Sequence, residues 1–102
     1  MKKLKVGLVG FGGMGGMHFS CYGESESAFV GAICDVRRDF ALQKLGDLKI
    51  PVYTDLDEML EKEKPDIVDL CTPSYLHAEM AIKCLNKGFN VLCEKPMTLT
   101  VA

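Results

Sequence analysis

Three glycines at a fixed spacing, placed straight after an apolar run, restrict this chain more than any other feature. Leu4 to Val9 is largely apolar and carries β-branched valines, and Gly10-x-Gly12-x-x-Gly15 ends it. A strand, a glycine turn and then a helix is the order of a connection that receives a dinucleotide pyrophosphate. Each glycine has a separate task there. Gly10 permits the tight turn, Gly12 carries no Cβ to block the pyrophosphate, and Gly15 lets the helix pack close to the sheet. Phe11, Gly13 and Met14 complete the loop. The helix start then turns free N–H groups and the positive end of its dipole toward the phosphates.

The same letters admit a different reading. A Met1-Lys2-Lys3 start before small and apolar residues is how a secretory signal begins. Lys5 interrupts that run, however, and six glycines between Gly7 and Gly16 would weaken a signal helix. That reading also gives no role to Asp35, which stands 20 residues beyond Gly15 at the end of a second apolar run. An acid at that place accepts hydrogen bonds from the ribose hydroxyls and repels a 2′-phosphate, so Asp35 points to NAD over NADP. Arg37 and Arg38 blunt the argument, because an arginine just after this strand can meet a phosphate. Two solvated arginines opening a helix are the plainer account of them.

Beyond the loop, helical and strand-like stretches alternate. Met14 to Tyr22 reads as a helix closing at Gly23, and Ala28 to Cys34 as a second buried strand. Phe40, Ala41, Lys44 and Leu45 share one face of a short helix that Gly46 stops, and Val52-Tyr53 makes a brief third strand. Asp55 stands three residues before Glu58, the spacing of a capping box, and opens a helix with a Leu56, Met59 and Leu60 stripe that Pro65 ends. Ile67 to Cys71 is a fourth strand. Ser74 caps a longer helix on which Ala78, Ala81, Ile82 and Leu85 form an apolar stripe, Lys87 and Gly88 close it, and Asn90 to Cys93 is the fifth strand.

Strands that read as apolar runs between helices form a parallel sheet covered on both faces. The expected fold is therefore α/β, a doubly wound Rossmann-like parallel sheet of strand order 3-2-1-4-5, with residues 1–102 in one dinucleotide-binding domain.

Composition narrows the function classes. A net charge of −2 with both signs interspersed leaves no basic face for nucleic acid or an anionic membrane. No stretch reaches the roughly 18 apolar residues of a membrane span. Five cysteines without a C-x-x-C pair indicate neither a zinc knuckle nor a disulfide framework, which fits a reduced cytoplasmic setting. Cys34, Cys71 and Cys93 end apolar runs, where a free thiol behaves as a small hydrophobe. His18 and His77 are expected to make structural hydrogen bonds, and no metal site is expected. Asp69 interrupts the fourth strand at a cost, without an evident role.

Cys71-Thr72-Pro73-Ser74-Tyr75-Leu76-His77 and Cys93-Glu94-Lys95-Pro96 fall at the carboxyl ends of the fourth and fifth strands, where a doubly wound sheet binds ligands. With the glycine loop, these stretches resemble the Gfo/Idh/MocA family of oxidoreductases, whose amino-terminal domains carry a GxGxxG turn, a TPxxxH stretch and an EKP motif in this order. The resemblance implies an NAD-dependent dehydrogenase acting on a sugar, cyclitol or related polyol. It makes Lys95 a catalytic residue and places Thr72, Pro73, His77 and Glu94 with it around the cofactor, although a turn with a Pro-started helix explains Thr72-Pro73 equally well. An ammonium near the reacting carbinol orients its oxygen and shares a proton relay. Taken alone, Lys95 would read as a surface lysine after a strand.

The resemblance further implies a cis Lys95-Pro96 peptide, a homo-oligomer, and a sixth strand and substrate domain beyond Ala102. On that expectation these residues are the cofactor half of a longer enzyme and are inactive alone. Two other readings stand beside it. One is a non-catalytic NAD-binding or redox-sensing module, which would not need Lys95. The other is an S-adenosylmethionine-dependent methyltransferase, for which EKP and TPxxxH would be coincidences.

Overall fold

Strand β1 (Leu4–Val9) takes the middle of the sheet because its residues from Val6 onward are buried on both faces. The computed structural model describes residues 3–71 and 74–93. After β1 come α1 (Gly13–Gly23), β2 (Ala28–Cys34), α2 (Arg38–Leu45), β3 (Val52–Tyr53), α3 (Leu56–Glu63), β4 (Ile67–Leu70), α4 (Ser74–Asn86) and β5 (Asn90–Cys93). The strands lie in the order β3-β2-β1-β4-β5 and every pairing is parallel. This is the expected doubly wound sheet.

The chain winds outward from β1 to β3 and then returns past β1 to β4, and that reversal divides the helices between two faces. Side chains alternate across the strands accordingly. Leu8 and Ile33 pack with Phe11, Ala41 and Leu45 on the side of α1 and α2. Val9, Ala32, Val68 and Leu70 pack on the opposite face with Met59 and Leu60 of α3 and Cys84 of α4. At about 1.5–3 kcal/mol for each large apolar side chain taken fully out of water, these two layers are the main source of stability.

Local signals set the helix ends. Asp55 Oδ2 accepts from the Glu58 N–H at 3.2 Å. Glu58 does not return the bond; its carboxylate instead meets Lys62 Nζ at 3.0 Å, so only half of the expected capping box forms. Lys64 closes α3 in a left-handed conformation, φ 45°, directly before Pro65. Gly88, at φ 90°, plays the same part after α4.

Two expectations about α4 need correction. Ser74 is its first helical residue rather than the cap before it. The stripe that meets the core is built on Cys84, with Met80 and Ala81 beside it, whereas Ile82 and Leu85 are each 58% exposed. Both sets have helical spacing, so periodicity alone did not choose between them. The small side chains of Ala81 and Cys84 allow the closer approach to the sheet, and a rotation of about 100° per residue then turns Ile82 outward. The fourth strand is also one residue shorter than expected, ending at Leu70.

Burial of Cys34 gives the fold a pH dependence. Its thiol is pushed up to about 12, first by burial and then by the nearby Asp55 and Asp35 carboxylates. An unfolded cysteine titrates near about 8.5. The folded chain thus keeps a proton that the unfolded chain releases, and stability falls as pH rises from about 8.5 toward 12. Urea unfolding at several pH values should show this decline. It should be flatter between about pH 8.5 and 10 in Cys34→Ala, before the tyrosines begin to titrate. An unchanged slope would remove Cys34 as its cause.

Candidate cofactor site

The glycine loop leaves β1 with Gly10 at φ 92°, a left-handed conformation that a residue with a Cβ adopts only under strain. The Gly10 N–H donates to the Cys34 carbonyl at 2.7 Å, which ties the turn to the end of β2. A Cβ on Gly15 would run into the Gly10 carbonyl, and it would also touch the Cys71 side chain. Gly12 differs from both. A Cβ there would find only Arg37 Nη2, at an ordinary 3.6 Å. The protein itself therefore leaves room at Gly12, on the side where a ligand would lie. No side chain caps α1 at Gly12 and no acid sits in the first turn, so no internal anion competes for its N–H groups.

Asp35 directly follows β2, almost fully buried, and is saturated. Its Oδ2 accepts from the Phe11 N–H at 2.9 Å and from Arg37 Nη2 at 3.0 Å. Its Oδ1 accepts from the Arg37 N–H at 2.8 Å and from Arg37 Nε at 3.1 Å. Burial works against its charge, but the bonds from Arg37 and from the Phe11 N–H outweigh it and hold the carboxyl below its ordinary value. The Arg37 side chain is 55% exposed and stacks over the Phe40 ring, 4.2 Å from its centroid. It can therefore swing away from Asp35 into water.

Phe11 contributes to the loop through its backbone only. Its ring lies in the core, edge-on to Phe19 with centroids 5.2 Å apart. Its N–H belongs to Asp35, and its carbonyl accepts from Lys44 Nζ at 2.7 Å. Gly10, Gly12, Asp35, Arg37, Cys71 and Met80 line part of a cleft of about 470 Å³ at the carboxyl ends of β1, β2 and β4. This is the point where the strand order reverses, the usual ligand crevice of such sheets.

Below the cleft, β4 and α1 are joined by a partly buried polar cluster around the buried Asp69. Asp69 Oδ2 lies 2.7 Å from His18 Nδ1 and accepts from Tyr22 Oη at 2.8 Å. A carboxylate only accepts, so His18 Nδ1 carries the proton. Cys71 Sγ is 3.5 Å from Asp69 Oδ1 and 3.4 Å from His18 Nδ1. Burial, followed by the Asp69 hydrogen bond and charge, raises the Tyr22 phenol well above its ordinary value. His18, Asp69 and Cys71 offer ligand-type atoms within 4.8 Å of one another. The Asp69 oxygens already face His18, Tyr22 and Cys71, and the cluster acts as a clamp between strand and helix.

The fold thus brings Gly10, Gly12, Asp35 and Arg37 together at one cleft, with Phe11 in the adjoining loop, Gly13, Met14 and Gly15 in the first turn of α1 and His77 in the first turn of α4. Thr72, Pro73, Glu94 and Lys95, and with them the Lys95-Pro96 peptide, lie outside the described residues. Two site features had escaped the sequence. Asp69 has its partners on α1, and the only signal was a single acid in an apolar strand, which requires a partner somewhere. Lys44 reaches the glycine loop from α2, although its spacing marked it only as part of a packing face.

Residues 4–102 match the model of the Gfo/Idh/MocA oxidoreductase family, NAD-binding Rossmann fold. The chain belongs to this family. It is 33% identical over 102 residues to myo-inositol 2-dehydrogenase of Thermotoga maritima, covering 97% of this chain and 30% of that protein. It is 35% identical over 100 residues to 2,7-anhydro-N-acetylneuraminate hydratase of Mediterraneibacter gnavus, covering 98% of this chain and 26% of that one. Among solved structures, the WlbA dehydrogenase of Bordetella pertussis in complex with NADH and UDP-GlcNAcA aligns with a TM-score of 0.86 and 30% identity, over 94% of this chain and 30% of the other. The chain therefore spans less than a third of the length of these relatives. Among the described residues, no helix is long and apolar enough to cross a membrane.

Proposed function

We propose that residues 1–102 are the cofactor half of an NAD-dependent oxidoreductase that moves hydride between nicotinamide and a sugar, cyclitol or related polyol. The observation that carries this reading is the Gly10–Gly15 turn. It opens an uncapped helix at the sheet's reversal point, with Asp35 at the lip of the same cleft. The cleft fits a dinucleotide: Gly12 keeps its ligand side clear, and the first turn of α1 offers N–H groups to a pyrophosphate. When bound, NAD supplies the hydride acceptor.

Gly10, Gly12, Gly13, Met14 and Gly15 hold the phosphates in this proposal, and Asp35 takes the ribose hydroxyls once the Arg37 side chain yields its two bonds. Thr72, Pro73, His77 and Glu94 are assigned to the nicotinamide side. Lys95 is assigned to the substrate oxygen, where an amine orients the carbinol and shares its proton. The net reaction and the substrate belong to the remaining protein, and a relative of similar identity is a hydratase. A non-catalytic NAD-binding module is the second reading, since such a module would use the same glycine loop without needing Lys95.

Titration of NADH and NADPH against the wild type and Asp35→Ser tests the cofactor assignment. The wild type is expected to prefer NADH. Asp35→Ser should lose NADH affinity and gain relative affinity for NADPH, because it removes the ribose acceptor and frees Arg37 for a 2′-phosphate. Equal wild-type affinities would remove the basis for choosing NAD.

A further inference from the structure

We propose that Lys44 is a positioning residue of the pyrophosphate site, whose ammonium group fixes the direction of the loop peptides that meet phosphate. This inference rests on the cofactor reading above. Lys44 Nζ donates to the Phe11 carbonyl at 2.7 Å and to the Gly12 carbonyl at 3.0 Å. A trans peptide is planar, so its C=O and the following N–H point in opposite directions. Holding the Phe11 and Gly12 carbonyls toward α2 therefore aims the Gly12 and Gly13 N–H groups away from α2. The Gly12 carbonyl also accepts from the Gly16 N–H at 2.7 Å as the first bond of α1, so the peptide that depends on Lys44 is Phe11–Gly12, which a glycine neighbour lets turn at low cost.

The tie is built from both sides. The Phe11 N–H is held by Asp35 Oδ2 at 2.9 Å, so the peptides before and after Phe11 are both fixed. Lys44 also lies over the Phe11 ring, 4.5 Å from its centroid, which anchors the ammonium beside the loop. Gly16 keeps its path open: a Cβ there would stand 2.8 Å from Lys44 Nζ. A glycine inside a helix is otherwise unfavourable, so an alanine at this place should help α1 itself while it displaces Lys44.

The test uses NADH fluorescence titration of the 102-residue chain, with ADP and adenosine as competitors. Adenosine lacks the pyrophosphate and separates loop orientation from general damage to the cleft. Lys44→Met is expected to weaken NADH and ADP about tenfold, the scale of one hydrogen bond from a charged group, while adenosine stays within about twofold. Lys44→Arg should recover most of the loss. Gly16→Ala should weaken NADH and ADP without lowering the melting temperature. Unchanged NADH and ADP affinity in Lys44→Met, or an equal loss of adenosine, would overturn the inference and leave the cofactor reading standing. No NADH binding by the wild type would overturn both.

Discussion

Gly15→Ala is expected to yield a chain that does not hold the native sheet and does not bind NADH. The new Cβ meets the Gly10 carbonyl, a backbone atom that cannot rotate away as a side chain can. Gly10 is itself fixed, by its φ of 92° and by its 2.7 Å bond to the Cys34 carbonyl. The strain can be relieved only if α1 lifts from the sheet. That movement would open the Phe11–Phe19 contact and pull His18 and Tyr22 from Asp69. A loss of about 4 kcal/mol or more belongs to the rare severe class and approaches the whole stability of a small domain, about 5–15 kcal/mol. Gly13→Ala is the control, because no atom lies within 4 Å of a Cβ there, and it should unfold in urea like the wild type. Native-like unfolding of Gly15→Ala would mean that α1 does not pack as described.

Order along the chain was legible because each strand is a short apolar run closed by a turn or breaker residue. Gly10, Gly46 and Gly88 adopt positive φ where the letters had placed a turn or helix stop. Parallel pairing and strand order then followed from the crossover rule, without any contact being known. What stayed hidden depends on the third dimension. The orientation of α4 was ambiguous because Ala81 and Ile82 belong to overlapping stripes, and only the packed sheet selects the small residues. Asp35 was recognised as an acid at the right distance. That its two oxygens are already held by Arg37 and the Phe11 N–H follows from a side-chain rotamer, which spacing does not encode. Lys44 and the glycine loop are far apart in sequence, and they meet because α2 runs back along the face that α1 occupies.

Asp69→Ala is expected to cost about 3 kcal/mol, more than any single hydrogen bond in the cluster, because one acceptor serves several donors. Asp69 is 0% exposed in the middle of β4, in register with Leu8 on one side and Leu92 on the other. Its removal takes the acceptor from the Tyr22 hydroxyl and an oxygen from both His18 Nδ1 and Cys71 Sγ, and leaves a cavity in their place. For a chain of this size the melting temperature should fall by roughly 4–8 °C for each kcal/mol. Tyr22→Phe removes one donor and leaves the acceptor with His18, so about 1 kcal/mol is expected. Once Asp69 is gone, the hydroxyl has no acceptor to lose, and Tyr22→Phe in the Asp69→Ala background should be neutral or mildly stabilising. The double-mutant cycle from urea unfolding should therefore show coupling of about 1 kcal/mol or more. Tyrosine absorbance gives a second readout: with the carboxylate charge removed, the Tyr22 phenol should titrate at lower pH than in the wild type. Additive losses in the cycle, with an unshifted phenol, would show that Asp69 holds α1 by packing alone and that the hydrogen-bonded clamp carries no energy of its own.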